Sequence, residues 1–173
     1  MIYTRNRYNA PKLGPNMARQ GSPIEAFLHH TDDIPLVVGE LNTKEEQVSK
    51  VREIDQFHRV QRGWSMCGYH WLVFQMTGTR WEPRAFAVRP IHFTPAAQLN
   101  HNTRTVAICV VGNGNVNQLH GNTRALIAKI VRRYPNVKTL GGHRDVVATD
   151  CPGRNFYNAI PNTAKLAKVK VYR

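Results

Sequence analysis

Thr105-Val106-Ala107-Ile108-Cys109-Val110-Val111 is an almost unbroken apolar run. A strand with one wet face alternates apolar and polar side chains, so a continuous run of this length suits a central strand buried on both faces. Gly112 opens a loop that lasts to Gly121. Asn122 or Thr123 then caps a helix carrying Ala125, Leu126, Ile127, Ile130 and Val131, and Pro135 stops it. Residues 137–140 follow as the last strand, with His143 just past its end. Upstream, residues 69–76 are rich in aromatic and branched side chains and read as another strand, with Thr77-Gly78 turning into a short partner near residues 79–81.

Further upstream, Thr43-Lys44-Glu45-Glu46 matches a capping box. Val48, Val51, Ile54 and Phe57 come after it at roughly helical spacing, so a helix is expected over residues 44–61, ended by Gly63. Residues 24–28 make the first strand. Residues 1–22 hold Pro11, Gly14, Pro15 and Gly21 with little periodicity, and read as an extended N-terminal arm over the domain. From Phe156 a short helix or irregular tail runs to Arg173. Strands and helices alternate without repeats, which gives an α/β fold: a single domain over residues 23–173, with a mixed central sheet flanked by helices.

A chain of 173 residues buries roughly two-thirds of its unfolded surface, so no metal or disulfide is needed to make a core. Cys67, Cys109 and Cys151 are odd in number and show no paired spacing, so no structural disulfide is expected. The polar opening Met1-Ile2-Tyr3-Thr4-Arg5-Asn6-Arg7 lacks an apolar signal core, and no window reaches the length of a membrane span. The chain is therefore expected to be made in the cytoplasm. A net charge of +13 predicts attraction to polyanions. Its basic residues are spread from Arg59 through Arg132 and Arg133 to Lys165, Lys168, Lys170 and Arg173, so no nucleic-acid reading element stands out.

The chemistry concentrates elsewhere. His29 and His30 end the apolar run of the first strand, His143 sits in Gly141-Gly142-His143-Arg144-Asp145, and Cys151 sits in Thr149-Asp150-Cys151-Pro152-Gly153. Two imidazoles and a thiolate are good zinc ligands, and three protein ligands with an open fourth position make a hydrolytic site rather than a structural one. Neighbours in a strand point to opposite faces, so only one of His29 and His30 can reach the ion.

His29-His30-Thr31 after a strand, Gly68-Tyr69-His70-Trp71, His143-Arg144-Asp145 and Thr149-Asp150-Cys151-Pro152-Gly153, in that order, resemble the zinc amidases of the peptidoglycan-recognition-protein and phage-amidase superfamily. The resemblance runs from about residue 24 to about residue 156. It implies an N-acetylmuramoyl-L-alanine amidase with Zn2+ held by His29, His143 and Cys151, the first histidine of the pair being the ligand. It also assigns catalytic roles to Tyr69, near the reacting water, and to Thr149, facing the substrate carbonyl. Asn100, His101 and Asn102 resemble the segment that lines the wall-peptide groove and are candidate substrate contacts. Arg104 and Thr105 stand where small polar residues are common, and Ala107 where a glycine is frequent. His30 is left as a packed or supporting residue, Asp145 as a group that orients His143 or its loop, and His70, His92 and His120 as structural or solvated histidines. His58 and Trp64 flank the end of the first helix, Trp64 as a core indole.

The expected function is thus a peptidoglycan hydrolase of the phage endolysin kind. It would cleave the amide between N-acetylmuramic acid and L-alanine, act as a monomer, and reach the wall after release from the host cytoplasm. Its partners would be peptidoglycan and anionic wall polymers. Two alternatives stand beside it. A recognition domain of the same superfamily binds peptidoglycan without cutting it, typically without the cysteine; a basic nucleic-acid-binding module explains the charge but leaves the metal-type residues unused. A fourth ligand such as His30 or Asp145 would instead make any zinc structural.

Overall fold

The computed structural model describes residues 1–32, 41–75 and 82–173. Seven strands form one sheet: β1 (Ile2–Tyr3), β2 (Glu25–His30), β3 (Trp71–Phe74), β4 (Arg84–Ala87), β5 (Thr105–Val111), β6 (Thr139–Gly142) and β7 (Lys170–Val171), in the spatial order β1-β4-β3-β5-β2-β6-β7. Only β3 and β4 pair antiparallel; every other pairing is parallel. The expected α/β domain with a mixed central sheet is what the chain folds into.

β5 is central because it is apolar on both sides, and all seven of its residues are buried. Alternation sends Cys109 and Val111 toward one face, with Leu72 and Phe74 of β3 and with Val51 and Ile54 of α1 (Lys44–Val60). Val106, Ile108 and Val110 go to the other face, with Ala26 and Leu28 of β2 and the apolar sides of α2 (Gly121–Val131) and α4 (Ile160–Ala167). Parallel neighbours need helical crossovers, and α1 and α2 supply this cover.

Several boundaries differ from the sequence expectation. The capping box forms as read, with the Thr43 hydroxyl accepting from Glu46 N and the Glu46 carboxylate from Thr43 N, and α1 ends at Val60 with Gln61 as its cap. The next helix starts earlier than expected, with His120 as N-cap and no side-chain capping bond, so neither Asn122 nor Thr123 caps it. β2 runs on to His30, because β5 keeps offering it partners as far as Val110. The strand at residues 139–142 is not the last: the tail turns back after α4, and Lys170–Val171 pairs beside it. The turn and short strand expected over residues 77–81 lie outside the described residues; the described antiparallel partner of β3 is Arg84–Ala87. Residues 1–22 do more than lie over the domain, since Ile2–Tyr3 adds an edge strand and Tyr8 enters the core, its hydroxyl donating to Ala87 O at 2.6 Å.

Candidate metal centre

Three elements end at one place. His29 pairs with Cys109 in the β2–β5 ladder, so it faces the α1 side of the sheet, whereas His30 pairs with Val110 and faces the other side. There the Nδ1 of His30 accepts from Gly114 N at 3.0 Å. The structure therefore brings His29, not the side chain of His30, to the other two candidates. His143 opens a short 3-10 turn (His143–Asp145) straight after β6. Cys151 lies in the loop before α3 (Arg154–Asn158), with its Sγ 3.8 Å from His29 Nδ1.

The ligand atoms of His29, His143 and Cys151 all lie within 4.8 Å of one another, and the rings of His29 and His143 have centroids 4.7 Å apart. A tetrahedral zinc with N and S ligands separates them by about 3.4–3.8 Å, so a small contraction would seat the ion. The donor chemistry fits as well. Burial lowers the pKa of both His29 and His143 and keeps the rings neutral, which leaves lone pairs for a cation. Burial pushes the Cys151 thiol up to about 12, partly opposed by the His30 N–H that donates to Sγ at 3.4 Å and by the charge of Arg144. The Asp145 carboxylate is occupied elsewhere, accepting from Gly142 N at 2.8 Å and from the Tyr157 hydroxyl at 2.5 Å. Among the described residues the cluster thus has three ligands, with neither His30 nor Asp145 closing it.

The loops are locked together by their own backbone. Arg144 N donates to Cys151 O at 2.9 Å, and the Arg144 guanidinium bonds Asp150 O while lying over the Tyr157 ring. Gly142 must be glycine: a Cβ there would stand 2.8 Å from the Tyr157 ring and 2.9 Å from Pro152. The role considered for Asp145 is realised on the loop, through Gly142 N, rather than on the His143 ring.

Tyr69 is half-buried just before β3, its ring 5.3 Å from that of His29 and 5.5 Å from that of His58. Burial raises its pKa well above the usual phenol value, so it remains a hydrogen-bond donor at neutral pH. Beside it opens a cleft of about 450 Å³ walled by Lys50, Glu53 and His58 of α1, by Trp64 and Tyr69, and by His143. Trp64 is thus a cleft wall stacked on His58, with centroids 4.8 Å apart, and is only partly covered. Thr149 is exposed at the rim, where its hydroxyl accepts from Cys151 N at 3.2 Å and keeps its own proton free to donate.

The 100–102 segment is used differently from expectation. The Oδ1 of Asn102 accepts from Ala97 N and Gln98 N at 2.9 and 2.8 Å, folding the loop back on itself. His101 is drawn to the start of β2, 2.8 Å from the Glu25 carboxylate and edge-on to Phe27. Asn100 is exposed with φ at 62°. From this stretch the cleft wall takes Ala96 and Ala97 instead. Sequence reading missed Gln98, fully buried in this loop, because a lone glutamine carries no motif.

Residues 20–154 match the N-acetylmuramoyl-L-alanine amidase family. The chain belongs to that family. Peptidoglycan-recognition protein SC2 of Drosophila simulans is 30% identical over 141 residues, covering 78% of this chain and 71% of that protein. Among solved structures, Drosophila PGRP-LB in complex with tracheal cytotoxin has a TM-score of 0.73 at 21% identity over 92% of each chain. The N-acetylmuramoyl-L-alanine amidase LysC of Clostridium intestinale has a TM-score of 0.71 at 22% identity, covering 98% of this chain and 99% of that one. The amidase family and the recognition proteins thus share one fold with this chain, and peptidoglycan cleavage or recognition is the activity class it falls in.

Proposed function

We propose that this amidase-family chain is a zinc-dependent hydrolase of the bond between N-acetylmuramic acid and L-alanine in peptidoglycan. The observation that carries the reading is the convergence of His29, His143 and Cys151 from three separate elements, their ligand atoms within 4.8 Å of one another. A domain that only binds wall fragments has no use for a buried thiol aimed at two neutral imidazoles. His29, His143 and Cys151 would hold the ion, which when bound supplies a water of lowered pKa and polarises the scissile carbonyl.

The chain's own residues do the rest. Tyr69, kept protonated by burial, offers its hydroxyl to the reacting centre beside His29. Thr149 offers a neutral O–H from the rim toward negative charge developing on the carbonyl oxygen. The cleft walled by α1 and Trp64 takes the glycopeptide and limits water. A phage endolysin role follows from the same reading: an enzyme made in the host cytoplasm, acting on the wall after release, monomeric, and held near anionic wall polymers by its +13 charge.

The test is release of L-alanine amino termini from purified peptidoglycan by zinc-loaded protein, chelated protein and Cys151→Ser. Release by the first alone, with the other two still folded, supports the amidase. Wall binding without release by any of them would mean recognition without cleavage.

A further inference from the structure

We propose that Gln98 is a positioning residue for His29: its side-chain oxygen accepts the Nε2–H of the ring, leaving Nδ1 bare and turned to Cys151 and His143. The inference rests on the metal reading above and extends it to a residue behind the ligands.

His29 and Gln98 are both 0% exposed. Each carries one buried polar atom without a partner at full hydrogen-bonding geometry, His29 Nε2 and Gln98 Oε1. Two orphaned atoms in a dry interior are costly unless they serve each other, and one is a potential donor while the other is an acceptor. Gln98 is also the side chain whose hydrogen bonding raises the His29 pKa, the sign expected of an oxygen that accepts from the ring.

The orientation of the Gln98 amide follows from its other end. The Thr105 hydroxyl spends its single proton on Asn102 O at 2.8 Å, so toward Gln98, 3.4 Å away, it can only accept. The amide NH2 must therefore face Thr105 and the amide oxygen must face away from it. Gln98 is fixed in turn by its backbone N–H, donated to Asn102 Oδ1 at 2.8 Å. A directed chain results, from the ring of His29 through Gln98 and Thr105 to the carbonyl of Asn102. Its effect is to select the Nε2–H tautomer, and with Nδ1 already 3.8 Å from Cys151 Sγ the ring is set as a ligand before any ion arrives.

The test uses the whole chain with Gln98→Leu and Gln98→Glu. Long-range nitrogen–proton NMR of the zinc-free protein reads the tautomer, and competition with a chromophoric chelator reads zinc affinity. The expected result is Nε2–H for His29 in the wild type and loss of that preference in Gln98→Leu. Zinc binding should weaken roughly 10–100-fold in Gln98→Leu and recover in Gln98→Glu, which keeps the acceptor oxygen. An Nδ1–H tautomer in the wild type would overturn the proposal, whether or not the variants fold. So would equal zinc affinity in wild type and Gln98→Leu, or equal loss in both variants. If the wild type binds no zinc, the metal reading fails, and the tautomer alone still decides the role of Gln98.

Discussion

Cys151 Sγ and His29 Nδ1 stand 3.8 Å apart, although 122 residues separate them in sequence. Both groups are neutral as they stand, because burial raises the thiol pKa and lowers that of the imidazole. No ion pair holds them together. The β2–β5 ladder places the histidine, and the Arg144–Cys151 backbone bond and the close contacts of Gly142 place the cysteine.

Zinc binding should therefore release close to one proton, from Cys151, since the two imidazoles are already unprotonated at neutral pH. Apparent affinity should rise about tenfold per pH unit between roughly pH 6.5 and 8.5. Calorimetry in buffers of different ionisation enthalpy counts that proton directly. Cys151→Ser should abolish both the release and stoichiometric binding; a serine variant that still binds one zinc with proton release would place the ion elsewhere.

Tyr69→Phe removes one hydroxyl from a ring that stays packed against His29 and His58. Turnover of a soluble muropeptide should fall about 10²–10³-fold with zinc content and melting temperature little changed. A fall of less than about threefold would return Tyr69 to a packing role.

For Thr149 the two roles separate by substitution. Thr149→Ser keeps both the bond from Cys151 N and the free O–H, and should retain most activity. Thr149→Ala loses both, and kcat should drop roughly 10–100-fold while KM moves little. If serine and alanine behave alike in a kcat and KM comparison, the hydroxyl is only a local cap on the loop.

Much of the site was legible because its residues lie in short motifs. A histidine at a strand end, glycines before His143 and a Pro-Gly after Cys151 are local signals, and their convergence needs only that β2 and β6 be neighbours. The long apolar run at residues 105–111 fixed the middle of the sheet for the same reason. The edges were not legible. Ile2–Tyr3 and Lys170–Val171 are two residues each, too short to show a period, and become strands only because β4 and β6 present open edges. His101 and Asn102 looked like contact residues by position, but the Glu25 carboxylate and the local amide groups claim their side chains, and no sequence pattern records that competition.

His58 and His70 set the acid limit of the fold. Burial lowers each to about 4 from an ordinary value near 6.5. Protonation is also blocked by geometry, because His58 Nδ1 already accepts from Gly68 N at 3.3 Å and His70 Nδ1 from Ala107 N at 3.0 Å. A proton on either nitrogen would set two donors against each other. The unfolded chain binds these protons near pH 6.5 and the folded chain only near pH 4, so stability is fully present above about pH 7 and falls as pH drops from 6.5 toward 4. The loss should be on the order of 3 kcal/mol per histidine across that window. Denaturant melts of the zinc-free protein at pH 7.5, 6 and 5 would show it, and NMR titration assigns it. If both rings titrate near pH 6.5 in the folded protein, the acid sensitivity must come from other groups.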